Sequence, residues 1–311
     1  MNLLFLLGVL GGSALLSGIS VLLSIRLSYR WAVLDHPDMA RKTQSAPIPN
    51  FGGVAVALAF LFAALGALWI SGRSELAPEA IGIFLPALGA ALLGFFDDRR
   101  HLNPYFRLVC QALLAYLAWV LGIRIDLTGI PALDLAFFII WVVAVVNALN
   151  LLDNSDGLAA STVVIASLGA AIVALLSGQL LVPPLAAAVA GAALGFLRHN
   201  WFPARVYLGD AGAYFLGLLL ALLVVELAPA DAPQWAGIAI AVLLLLLPLA
   251  DMAFVIARRL AAGIHPFTAG RDHMSHVLQQ RGRTVPQAVR QLQIVEIIGV
   301  LSAIAIAWSF S

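Results

Sequence analysis

The chain holds one cysteine, Cys110, and one lysine, Lys42, and only 11% of its 311 residues are charged. A lone cysteine inside an apolar run excludes an internal disulfide and a cysteine-based metal centre within one chain. So little charge excludes an ordinary soluble domain, in which roughly 25% of residues are charged. A net charge of +1 gives no reason to expect nucleic acid or another polyanionic partner. Long polar stretches are scarce as well. The longest, 26–52 and 258–289, lack the apolar periodicity to build a core of their own.

What is present is apolar: 62% hydrophobic residues and a mean hydropathy of +1.01. Backbone polar groups in lipid must be satisfied internally, so such a chain is read as all-α and polytopic. The first apolar run, Asn2 to Ile25, is longer than the roughly 7–15 residues of a signal-peptide core and should remain as a span. Polar breaks divide the chain into ten expected transmembrane helices, at about 3–25, 53–71, 80–96, 105–122, 134–151, 158–177, 183–197, 211–228, 235–257 and 290–309. Residues 1–311 are expected to form a single membrane domain. No internal repeat is visible, which weighs against an inverted-repeat transporter.

Basic residues set the expected orientation. Fifteen of the seventeen Lys and Arg fall in one set of alternate loops, and only Arg73 and Arg124 in the other. The positive-inside rule makes the first set cytoplasmic and places both termini outside the cytoplasm.

Val145 to Ser161 puts Asn147, Asn150, Asp153 and Asp156 three residues apart, a polar stripe leaving an apolar helix. On the same expected side lie Asp97 and Asp98, then His199, Asn200 and Asp210, then Asp251, and finally Arg271, His273 and His276. Each has a bland reading alone. Asp-Asn-Ser-Asp-Gly is good turn chemistry, Asp210 suits a helix N-cap, and arginines in loops signal topology. Asp251 is harder to dismiss, because an ionised Asp in a bilayer costs about 2.5–3.5 kcal/mol. Together, carboxylates and carboxamides make an all-oxygen site suited to Mg²⁺ completed by water and phosphate. The Arg and His cluster suits phosphate oxygens. Acidic and basic walls around one pocket are what phosphoryl transfer requires.

At this point the sequence resembles the polyprenyl-phosphate N-acetylhexosamine-1-phosphate transferases, glycosyltransferase 4-type enzymes that initiate O-antigen and teichoic acid linkage units. It is more distantly similar to the phospho-N-acetylmuramoyl-pentapeptide transferase. The likeness covers nearly the whole chain and rests on six ordered motifs: Arg41-Lys42 with Pro47, Pro49, Gly52 and Gly53; Asp97-Asp98; Asn147 to Gly157; Asn200 to Gly212; Pro248 to Asp251; and Pro266 to His276. The resemblance implies transfer of a sugar 1-phosphate from a UDP-N-acetylhexosamine to undecaprenyl phosphate. UMP is released at the cytoplasmic face of a bacterial inner membrane, as the first step of a lipopolysaccharide or cell-wall glycan. It further implies Mg²⁺, replaceable by Mn²⁺, on Asp210 with Asp153 or Asp156. Asp97 would accept a proton from the lipid phosphate or orient it, and Asp98 would assist. Arg41, Lys42, Arg271, His273 and His276 would hold phosphates, Asn150 and Asn200 would seat the nucleotide, and Asn147 and Asp251 would give support. A homodimer is expected from relatives.

Several positions depart from the family pattern: Asn154 for Gly, Ala211 and Ala213 for Ser, Ser275 for His, and Gln44 where His is frequent. They favour the hexosamine branch. The main alternative, an ion-coupled or divalent-cation transporter, would need its ionisable residues near the bilayer midplane. A CDP-alcohol phosphotransferase would need acidic residues in Leu158 to Ser177, which has none. A non-catalytic relative is a further alternative.

Overall fold

The computed structural model describes residues 2–36, 46–225, 227, 229, 232–268 and 270–311. Helices account for nearly all of its regular structure. They are α1 (Leu3–Arg30), α2 (Gly52–Ser71), α3 (Ala77–Arg100), α4 (Pro104–Val120), α5 (Pro131–Leu152) and α6 (Leu158–Leu176), followed by α7 (Val182–Asn200), α8 (Gly209–Val224), α9 (Gln234–Leu244), α10 (Leu246–Ala261), α11 (Met274–Gln280) and α12 (Val285–Trp308). A two-residue antiparallel ribbon pairs Leu34–Asp35 with Ile48–Pro49. Among the described residues seven helices are long and apolar enough to cross a membrane, α9 and α10 form a bent pair, and α4 and α8 are shorter apolar helices. The protein is an all-α polytopic membrane protein.

The ninth expected helix, 235–257, is corrected: it breaks at Leu245, and α9 meets α10 at 78°. The break frees the first amides of α10, which need acceptors. Glu296 of α12, fully buried, supplies one by accepting the Leu247 N–H at 2.8 Å. Pro248, one residue on, has no N–H to satisfy. Two further corrections matter to the site. Helix α3 runs to Arg100, so Asp97 and Asp98 lie within its last turn. The loop after α10 contains α11, and α12 begins at Val285 rather than 290.

Helix α8 occupies the centre, with every residue from Ala211 to Val224 buried. A helix apolar on all sides belongs inside a bundle, and α8 packs on α3 and α5 and also meets α2. Small residues permit close approach where hydrophobicity cannot drive association. A Cβ on Gly94 of α3 would strike the Asp210 carbonyl, and one on Gly53 of α2 would strike the backbone of Gly212. Helices α2 and α3 thus converge on the first turn of α8.

The contact predicts its own test. Gly94→Ala should lower stability by about 1–3 kcal/mol, the usual cost of overpacking. Gly66→Ala on α2, with open space around it, should not. Thermal unfolding in detergent distinguishes them, and equal melting temperatures for both variants would contradict the packing account.

Candidate active site

The two adjacent aspartates of α3 do different things. Asp98 accepts the N–H groups of Asp210 (3.0 Å) and Ala211 (3.1 Å) and the Asn50 amide (3.1 Å). It therefore caps α8 from another helix, placing an anion on the positive end of the helix dipole. Asp210 is then not the N-cap: it stands in the first turn, and its carboxylate accepts the Asn150 amide at 2.7 Å. Gly209 makes the arrangement feasible, at φ +70° with a missing Cβ that would lie 2.9 Å from an Asp98 oxygen. Asp97 is buried and saturated by the Leu102 N–H (2.8 Å), the Arg107 guanidinium (2.8 Å) and the Tyr214 hydroxyl (2.6 Å).

The stripe that leaves α5 divides likewise. Asn147 donates to the buried Gln111 of α4 at 2.6 Å, one turn inward from Asn150. Asp156 accepts the Ala204 N–H at 2.9 Å. Asn200, expected at the nucleotide, is instead a buried brace. It accepts the Gly157 N–H and donates to the Val206 carbonyl, both at 3.0 Å. Asp153 receives no hydrogen bond among the described residues. Burial, then the charges of Asp98 and Asp156, push its carboxyl up to about 7. Burial also raises Asp156.

The basic wall joins residues that the sequence marks, Asp251, Arg271, His273 and His276, to one that it does not, Arg259. Buried Arg259 clamps Asp272 through two bonds of 2.7 and 2.8 Å and donates to the Pro266 carbonyl. Asp251 on α10 accepts the Met274 N–H and contacts His273 Nδ1, each at 2.8 Å, which seats the start of α11. His276, 5.6 Å from His273 between ring centroids, is pushed down to about 4 by burial and by the charges of His273 and Arg271. It is neutral near pH 7 and can offer a phosphate a hydrogen bond but no charge. Arg271 is exposed and carries the cation. The Ser275 hydroxyl donates to Asn154 Oδ1, so two of the departing residues join the basic wall to the acidic loop. Arg41 and Lys42, with Gln44, lie outside the described residues.

Among the described residues no three His, Cys, Asp or Glu side chains converge as a ready metal cage. Mg²⁺ does not require one, since it commonly takes one or two carboxylates and fills its shell with water and substrate phosphate. Asp153, unbonded beside Asp98 and Asp156 with Asp210 also next to Asp98, is an oxygen set that fits such an ion.

The profile described as Glycosyl transferase family 4 matches residues 80–228, from α3 past α8. A phospho-N-acetylmuramoyl-pentapeptide-transferase of Bacillus pumilus (strain SAFR-032) is 33% identical over 225 residues, 66% of this chain and 68% of that one. The chain belongs to glycosyl transferase family 4. Within the family it is also 29% identical over 249 residues, 80% of this chain and 73% of the relative, to an undecaprenyl-phosphate alpha-N-acetylglucosaminyl 1-phosphate transferase of Thermotoga maritima. It is 28% identical over 291 residues, 90% of this chain and 79% of the relative, to a protein of Bacillus subtilis (strain 168) named as a probable undecaprenyl-phosphate N-acetylglucosaminyl 1-phosphate transferase. The family profile spans Asp97, Asp98, the Asn147–Gly157 stripe and Asp210 but stops before the basic wall. Arg107, Tyr214, Asn50 and Arg259 escaped sequence reasoning, since no fixed spacing ties Arg259 to Asp272 across a loop or Tyr214 to Asp97 across two helices.

Asp153 yields a pH prediction. Its folded pKa of about 7 exceeds the ordinary value of about 3.9, so the folded state binds more protons between them. Stability then falls as pH rises from about 4 to about 7. In EDTA, Asp153→Asn should lose less melting temperature than wild type between pH 5 and pH 8. Parallel losses would show that Asp153 does not ionise against its neighbours.

Proposed function

We propose that the chain transfers N-acetylglucosamine 1-phosphate from a UDP-sugar to undecaprenyl phosphate at the cytoplasmic surface of the bacterial inner membrane. An oxygen of the lipid phosphate forms a bond to the sugar-linked phosphorus. The bond from that phosphorus to the bridging oxygen breaks, and UMP leaves with the electron pair. The observation that carries the reading is the Asp98 cap on α8, which puts Asp210 beside Asn150 and opposite a basic wall tied in through Asn154 and Ser275. Family membership and the names of the relatives support it.

In this reading Asp210 and Asp153 hold Mg²⁺, with Asp98 and Asp156 beside them. The ion supplies charge neutralisation of the diphosphate and of departing UMP. Arg271 and His276 hold phosphate oxygens that carry the remaining charge. His273, fixed by Asp251, orients this wall. Near neutral pH a phosphate monoester is already largely dianionic, its second pKa being about 6, so no side chain has to remove a proton. Asp97, with both oxygens committed, then acts by positioning Arg107 and Tyr214. Asn150 holds Asp210.

UMP release from UDP-N-acetylglucosamine by purified protein, with and without undecaprenyl phosphate, tests the proposal. Release should require the lipid and stop in EDTA. Asp210→Asn and Asp98→Asn should each lower kcat by about 10²–10³, as loss of preorganised charge does elsewhere. Wild-type turnover in Asp210→Asn, or lipid-independent release, would refute it.

A further inference from the structure

We propose that the outer groove between α1 and α7 is a binding site for an anionic phospholipid whose headgroup bears hydroxyls. The groove encloses about 1230 Å³. Its walls are apolar and face outward, with Leu15 (66% exposed) and Ile19 (58%) from α1 and Leu194 (43%) from α7. Its mouth, at the end of the bundle that holds the candidate active site, is basic: Arg198, His199 and Arg205. Neither arginine pairs with a carboxylate among the described residues. A smaller hollow of about 440 Å³ continues past His199 and Arg205 towards Tyr29 and Pro49. Basic pockets between membrane helices are a recurrent means of holding lipid phosphates, while apolar walls take the chains.

His199 narrows the headgroup. It is 7% exposed, and its Nε2 has no partner. Gly18 lies inside α1, where its N–H is committed to the helix, so the ring meets its carbonyl; with Nε2 unpartnered, Nδ1 is the nitrogen engaged and carries the proton. Nε2 is then an acceptor. A buried acceptor without a donor is unfavourable, and a headgroup hydroxyl would satisfy it. A bare phosphate monoester near neutral pH presents mainly acceptors and would meet this nitrogen unfavourably. A phosphodiester with a glycerol headgroup offers an anion to the two guanidiniums and a hydroxyl to Nε2.

The site also touches the acidic loop. Arg205 donates its N–H to the His199 carbonyl at 2.9 Å, and the preceding Ala204 N–H holds Asp156. Trp201, on the groove wall, packs where a Cβ on Gly157 would lie, 2.9 Å away. A lipid seated here braces the 201–205 segment that supports Asp156. The binding claim itself stands apart from the proposed reaction.

Native mass spectrometry of the full chain released from detergent, titrated with phosphatidylglycerol, phosphatidylcholine and phosphatidic acid of equal chains, is the test. Wild type should retain phosphatidylglycerol over both others. The double variant Arg198→Gln/Arg205→Gln should lose that retention by about thirtyfold, each basic residue near an anionic lipid being worth about 1 kcal/mol. Arg281→Gln/Arg283→Gln, with two exposed arginines outside the groove, should keep it. Equal retention by the Arg198/Arg205 variant, equal retention of phosphatidic acid, or displacement of phosphatidylglycerol by stoichiometric undecaprenyl phosphate would overturn the proposal.

Discussion

A carboxylate on one helix that caps another is the contact on which the site depends. Asp98 does for α8 what an N-cap residue of its own would otherwise do, and Leu208, at the cap position, has no side chain able to do so. Because the cap comes from α3, Asp210 is released from local hydrogen bonding and turns to Asn150 of α5. Three helices are thereby fixed at one point, and the close contacts at Gly94, Gly53 and Gly209 are its steric conditions. Asp97 repeats the device one residue earlier, tying α3 to α4 through Arg107 and to α8 through Tyr214.

The basic wall is held by a second series of contacts that starts deep in the bundle. Glu296 of α12 satisfies the broken start of α10. One turn later Asp251 receives His273 and the first amide of α11, and Arg259, two turns further, holds Asp272. The bend between α9 and α10 is therefore part of the site's construction, since it directs Asp251 towards the loop that carries the histidines. The Asn154–Ser275 hydrogen bond closes the circuit between the two walls. Each of these residues departs from the family pattern, and the contact gives the two departures one explanation: a small hydroxyl on α11 is met by an amide on the acidic loop.

The helices were legible because apolar runs separated by polar breaks leave few other choices in lipid, and the ten expected windows overlay α1–α8, the α9–α10 pair and α12. The break at Leu245 has one sequence signal, Pro248, whose ring meets the carbonyl four residues earlier and removes a helical hydrogen bond; the partner that satisfies the freed Leu247 N–H, Glu296, lies about fifty residues away and was not legible. The acidic residues were legible from their spacing, but their division of labour was not. Asp97 and Asp98 look equivalent in sequence and face different partners because successive helical residues point about 100° apart. Asn200 read as a ligand contact because an asparagine beside a turn is ambiguous, and only the fold shows it bridging the Gly157 N–H and the Val206 carbonyl.

The central proposal is that Asp210, freed by Asp98, and Asp153 mark one divalent-cation site completed by a diphosphate. Electron paramagnetic resonance of Mn²⁺ added to the purified protein with UDP-N-acetylglucosamine measures it directly. The account predicts one bound ion per chain that depends on the nucleotide sugar and weakens at least tenfold in Asp210→Asn. Unchanged Mn²⁺ binding in that variant, or binding indifferent to the nucleotide sugar, would contradict it.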